Sequence, residues 1–160
     1  MKTVFFKRLA IAIIAVVAMS MAANAQQKGD MAVGGNLVFG SGSSYSNVGI
    51  GPKFQYNITD PIRLEGSYTY FLKKSGWSMW DISVNAHYLF PVTDEITVYP
   101  LAGIGVIGAN AGNDNEFGLN LGGGIDYKLT GNLFLNGELK YRIGDDWNRL
   151  LISAGIAYRF

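Results

Sequence analysis

The sequence predicts an all-β fold: an eight-stranded antiparallel up-and-down transmembrane barrel, preceded by a cleaved signal peptide. Three observations carry this. After the first thirty or so residues, apolar and polar side chains alternate with period two. The alternating runs exceed the roughly 5–6 residues usual for globular strands and reach the 9–11 that a tilted strand needs to cross a bilayer. The connections between them alternate between tight and loose, as in barrels with short turns on one side of a membrane and longer loops on the other.

Taken in order, the chain begins with Lys2, Lys7 and Arg8 ahead of an apolar run from Leu9 to Met19. "AANAQ" then places Ala23 and Ala25 in the A-x-A arrangement of a signal-peptidase site, so residues 1–25 are expected to be removed between Ala25 and Gln26. The run is too short for the roughly 20 residues of a spanning helix. The barrel domain then occupies 26–160. Without the three basic residues of the leader, ten Lys and Arg face twelve Asp and Glu, a net −2 that leaves no basic patch for nucleic acid. Cysteine is absent, which excludes disulfide staples and thiolate metal sites.

Eight strands follow: Met31–Gly40, Asn47–Ile58, Ile62–Leu72, Ser78–Phe90, Glu95–Ile107, Glu116–Leu129, Asn132–Ile143 and Arg149–Phe160. In the second, Val48, Ile50, Pro52, Phe54, Tyr56 and Ile58 share one face, and Gly49, Gly51, Lys53, Gln55 and Asn57 the other. The third splits likewise, with Arg63, Glu65, Ser67, Thr69 and Phe71 on the wet side. Tight turns are expected at Thr59–Pro61, Val92–Asp94 and Thr130–Gly131, and looser loops at Ser41–Ser46, Lys73–Trp77, Gly108–Asp114 and Gly144–Asn148. The fifth strand, "ITVYPLAGIGVI", is apolar or small on both faces. Tyr99 opposes the parity of Ile96 and Val98, and Pro100 lacks an N–H, so a register-switching bulge is expected there.

Aromatic residues identify the solvent. On the apolar parity, Tyr56, Tyr88, Phe90, Tyr127, Tyr158 and Phe160 fall near the tight turns. Phe39, Tyr68, Tyr70, Trp80, Phe117 and Tyr141 fall near the loops. Two such levels are where amphipathic rings meet lipid headgroups, whereas a soluble barrel would scatter aromatics through mid-strand. A charged content of 16% is below the ~25% typical of soluble domains. The polar parity then faces the lumen, where Lys53, Arg63, Glu65, Asp81, His87, Asp126, Glu138, Lys140, Arg142 and Arg159 form the expected polar network. An eight-stranded lumen is filled by side chains, and ions inside it must be paired. Arg63 and Glu65 are expected to meet Lys53, and Glu138, Lys140 and Arg142 to meet Asp126 and Arg159.

The leader, the eight alternating strands and the closing "Y-R-F" resemble the small outer-membrane β-barrel family of Gram-negative bacteria, of the OmpX/OmpA-barrel type. The resemblance implies an integral outer-membrane location. It also implies lipid and lipopolysaccharide as surroundings, and recognition of Ile156, Tyr158 and Phe160 by the barrel-insertion machinery. It implies no cofactor and no named surface partner. Some eight-stranded relatives modify lipid A with a histidine followed two residues later by serine. Here the stretch is "HYL", so His87 is expected to be a hydrogen-bonded interior side chain.

Two glycine motifs carry no nucleotide chemistry. "GIGVIG", Gly103 to Gly108, precedes a loop and not a helix, and "LGGGI" reads as strand glycines that ease curvature or close packing. Among loop residues, Tyr45, Trp77 and Trp147 with Asp145 and Asp146 are candidate contact groups, and Lys73 and Lys74 are placed to meet lipopolysaccharide phosphates. The functional expectation is a non-enzymatic structural or surface-interaction role in the cell envelope. The alternatives are a small porin-like channel and, behind it, a lipid-modifying enzyme.

Overall fold

The computed structural model describes residues 28–42, 46–74, 76–109, 115–145 and 148–160, apart from the side chains of 73, 74 and 77. The leader with Ala25 and Gln26, the loop residues Tyr45, Asp146 and Trp147, and the side chains of Lys73, Lys74 and Trp77 lie outside the described residues. The described chain is built of strands: β1 (Met31–Ser41), β2 (Ser46–Asn57), β3 (Ile62–Lys74), β4 (Trp77–Tyr88), β5 (Phe90–Pro91), β6 (Ile96–Ala109), β7 (Asn115–Lys128), β8 (Leu133–Gly144) and β9 (Asn148–Arg159).

Every strand pairs antiparallel with its neighbours, and β9 returns to pair with β1, with Ala32 opposite Arg159 and Ser41 opposite Leu150. Closure leaves no sheet edge, which is the condition for a β-structure to survive where no water can satisfy a bare N–H or C=O. β4 and the two-residue β5 are one stave: both pair with β6 in a single register, His87 opposite Leu101 and Phe90 opposite Val98. In that register Tyr88 faces Pro100, which has no N–H to give, and the ladder skips a step there. The barrel therefore has eight staves, and the eight predicted segments coincide with them to within two residues at each end.

The strand around Pro100 departs from expectation. No bulge switches its register, and the pairing of β6 with β7 runs unbroken from Ile96 opposite Tyr127 to Gly108 opposite Asn115. Pro100 points outward, while Tyr99 and Leu101 are buried inside. The ambiguity arose because this stave sends apolar groups to both faces.

A second difference lies in the loops. The connection expected at Lys73–Trp77 shrinks to residues 75 and 76, because β3 continues through Lys74 and β4 starts at Trp77. Gly76 has φ +85°, a conformation that glycine adopts without steric cost and that lets a hairpin close in so few residues. Polar composition suggested a loop where the backbone stays extended.

Sidedness is inverted relative to a soluble domain. Buried polar and charged residues outnumber buried hydrophobic ones, while Leu37, Ile50, Leu119, Leu139 and Ile152 stand exposed with many others along the staves. All twelve belt aromatics point outward, none of them buried. Phe54 is an exception to the two levels: it sits mid-stave on the outer face, opposite Gly66 and Val33.

Candidate functional site in the barrel lumen

Inward residues project toward the barrel axis and meet across the lumen, and this decides the pairing. Arg63 on β3 donates through Nη1 to Asp126 Oδ2 on β7 at 2.7 Å. Arg142 on β8 pairs with Asp81 on β4. In neither pair do the two residues belong to adjacent staves. The expected partners are thus not the observed ones. Glu65 accepts from Gln55 Nε2 at 2.7 Å and forms no ion pair with Lys53, and Arg142 engages Asp81 and not Asp126. Neighbouring staves supply hydrogen bonds, as between Gln55 and Glu65, whereas the ion pairs form between long side chains that converge across the narrow lumen.

Nearer the tight turns, Arg63 also points Nε and Nη2 at His87 Nδ1, at 3.1 and 3.0 Å. His87 stacks on the Tyr99 ring at 4.4 Å between centroids and 14° between planes, and the Tyr99 hydroxyl donates to Glu138 Oε2 at 2.8 Å. Tyr99 fits because Gly124 on the neighbouring stave is bare: a Cβ there would lie 2.5 Å from Tyr99 Cζ and the phenol oxygen. Lys53 is buried in the field of Glu65 and Glu138, and Lys140 faces the same space half-buried. Further out, Arg142 gives Nη2 to Ser83 Oγ at 2.7 Å and Nε to Asn120 Oδ1 at 2.7 Å, and Asn120 donates to Asn85 Oδ1 at 2.9 Å. Gly105, within the "GIGVIG" stretch, leaves the space the Arg142 guanidinium fills.

The outer end of the lumen is apolar. Val38, Phe71, Met79, Ile107 and Leu151 form a buried cluster within a few residues of the loop ends of five different staves. Beside it Arg149 hydrogen-bonds Asn47 and lies over Phe71, 4.9 Å from the ring centroid. At the opposite end Leu89, Tyr99 and Leu101 cluster, and Arg159 lies over the Phe134 ring at 3.8 Å. Sequence reasoning left Tyr99 unassigned and did not anticipate the apolar cluster. The signal for Tyr99 was its parity, opposite to that of the belts; Phe71 carried the same signal.

Glu65, His87 and Glu138 place one ligand-type atom each within 4.8 Å of one another, a spacing that invites a metal. The histidine argues otherwise. Arginine offers only donors, so the Nδ1 that faces Arg63 must carry the lone pair, and the neutral ring holds its proton on Nε2, the atom 3.8 Å from Glu138 Oε2. A metal-bound imidazole has the reverse arrangement, giving its second N–H to an acceptor. With Lys53 buried beside both carboxylates, the trio belongs to the polar network that fills the lumen.

Tyr99→Phe tests that reading. The mutation keeps the ring stack but takes from Glu138 the phenol donor, and is expected to lower stability by about 1–3 kcal/mol, read from urea unfolding of the barrel in lipid vesicles.

An apolar outer wall, two aromatic girdles, a closed ladder and a polar interior define an integral outer-membrane β-barrel. A family model described as the outer membrane protein beta-barrel domain matches residues 9–160, and the chain belongs to that family. Among solved structures it is similar to the N-terminal β-barrel domain of Pseudomonas aeruginosa OprF, with 19% identity and a TM-score of 0.69 over 84% of this chain and 100% of that one. It is also similar to Neisserial surface protein A, with 21% identity and a TM-score of 0.63 over 82% and 96%. Ail, the attachment invasion locus protein of Yersinia pestis, matches with 20% identity and a TM-score of 0.61 over 84% and 100%. No curated protein sequence matches.

Proposed function

We propose that the protein is a sealed, non-conducting and non-enzymatic barrel that serves the envelope as a structural element and presents its outer rim for surface contacts. The observation that carries this is the filling of the lumen: two ion pairs bridge it, and the apolar cluster of Val38, Phe71, Met79, Ile107 and Leu151 closes its outer end. A hydrophobic constriction excludes ions by expelling water, and the bridging pairs beneath it occupy the space between the walls. His87 faces Arg63, Tyr99 and Glu138 and has no hydroxyl nucleophile two positions on, where Leu89 stands.

Planar-bilayer recording tests the seal. The wild-type barrel is expected to give no resolvable unitary steps, whereas Phe71→Ser with Met79→Ser, which wets the outer cluster, is expected to give brief openings. Steady wild-type conductance would replace this reading with that of a small channel. A lipid A mass profile altered by deletion of the protein, and not restored by His87→Ala, would replace it with an enzyme.

Export belongs to the same reading: cleavage between Ala25 and Gln26, then insertion through recognition of Ile156, Tyr158 and Phe160, which line the outer face of the closing stave. A surface role has a parallel among the solved neighbours, since Ail is also described in complex with the heparin analogue sucrose octasulfate.

A further inference from the structure

The tight-turn end of the barrel, which faces the periplasm, opens into a cavity of about 490 Å³. Its walls include Phe134 and Leu89, two cations, Lys128 and Arg159, and the turn carboxylates Asp60, Asp94 and Glu95. Arg159 is the unusual group. It is only 7% exposed, yet among the described residues its guanidinium makes no hydrogen bond and no ion pair. The other buried arginines are engaged: Arg63 by Asp126, Arg142 by Asp81, Arg149 by Asn47. Arg159 instead lies over Phe134, its Cζ 3.8 Å from the ring centroid, and lines the cavity with a five-donor group. Asp30 and Asp126 act on it only through space, so a guanidinium that lines an open cavity is left to take an oxygen anion, and its fork matches a carboxylate in bidentate fashion.

The mouth of the same cavity has the opposite sign. Asp94 and Glu95 are exposed on the turn between β5 and β6, and Asp60, whose Oδ1 accepts from the Lys28 amide at 2.8 Å, stands on the turn between β2 and β3. A bare anion would be opposed by these carboxylates, and a bare amine would find no counter-charge at depth. A molecule that carries both groups is complementary to the whole.

We propose that this cavity is a periplasm-facing site for a small zwitterion of amino-acid or dipeptide type, its carboxylate held by Arg159 and Lys128, its ammonium by Asp94 and Glu95, and its aliphatic part against Leu89 and Phe134. The volume falls within the range of small-molecule pockets.

Calorimetric titration of the purified folded barrel in detergent with alanylalanine tests the site, with N-acetyl-alanylalanine, alanylalanine amide and inorganic phosphate as comparison probes. Saturable binding of alanylalanine with a Kd on the order of millimolar is expected, weakened about tenfold by either blocking group. Arg159→Gln is expected to abolish it, with heat-dependent gel mobility showing that the variant is folded. Because Arg159 lies on the closing stave, Asp94→Asn on an exposed turn provides an independent arm: it should weaken alanylalanine and leave the N-acetylated form unchanged. Lack of saturation, equal binding of the blocked peptides, phosphate binding as tight as alanylalanine, or indifference to both substitutions would each overturn the proposal.

Discussion

Arg142→Met is expected to destabilise the folded barrel by about 3–5 kcal/mol, the cost typical of removing one partner from a buried ion pair. Every donor nitrogen of Arg142 is in use: the guanidinium reaches both Asp81 oxygens and Ser83, and Nε reaches Asn120. Without it, Asp81 retains among the described residues only the Ser83 hydroxyl, at 2.7 Å, against its charge in a buried setting. Two further variants separate the causes. Arg142→Lys keeps a cation but not the planar fork, so an intermediate loss is expected. Asp81→Leu added to Arg142→Met removes the stranded carboxylate and should recover most of the loss, since well-packed apolar groups replace buried ion pairs at little cost. Equilibrium urea unfolding in lipid vesicles, followed by gel mobility before heating, reads all three. A loss under about 1 kcal/mol for Arg142→Met would mean that the pair is solvated and the lumen wet.

Leu139→Arg is expected to cost about 2–4 kcal/mol, the penalty for a cation on the lipid face near the bilayer midplane. Leu139 lies midway along β8, 53% exposed, opposite Gly123 on one side and Ile152 on the other. Tyr141→Arg, one outward position nearer the loop-end girdle, should cost only about 0–1 kcal/mol because the long side chain reaches the interface. The contrast between the two positions is the informative result. On a water-bathed wall both substitutions would stay within roughly ±0.5 kcal/mol, and the depth dependence would vanish.

Stave number, stave ends and sidedness were legible in the residues themselves because strand periodicity is local. Val48 through Ile58 and Ile62 through Leu72 each declare their two faces without reference to any other part of the chain. The outer solvent was legible too, from the levels at which Tyr88, Tyr127, Phe117 and Tyr141 recur on the apolar parity, since an interface imposes the same height on every strand that crosses it. The Lys73–Trp77 stretch misled because polarity marks exposure and not backbone shape: a hairpin extended past the membrane is as polar as a loop. Tyr99 and Pro100 misled because an apolar residue turned inward resembles a slip in register.

What only the closed tertiary structure decided is who meets whom inside. The stagger of strands around a barrel sets which inward positions share a level, and that stagger is a property of the whole ring and of no single strand. Arg63 therefore finds Asp126 and Arg142 finds Asp81 across the axis, Tyr99 settles over Gly124 between His87 and Glu138, and five apolar residues from five staves assemble the outer cluster. The same geometry sets Arg159 over Phe134 beside an open cavity, while Asp126 is taken by Arg63 deeper in the lumen.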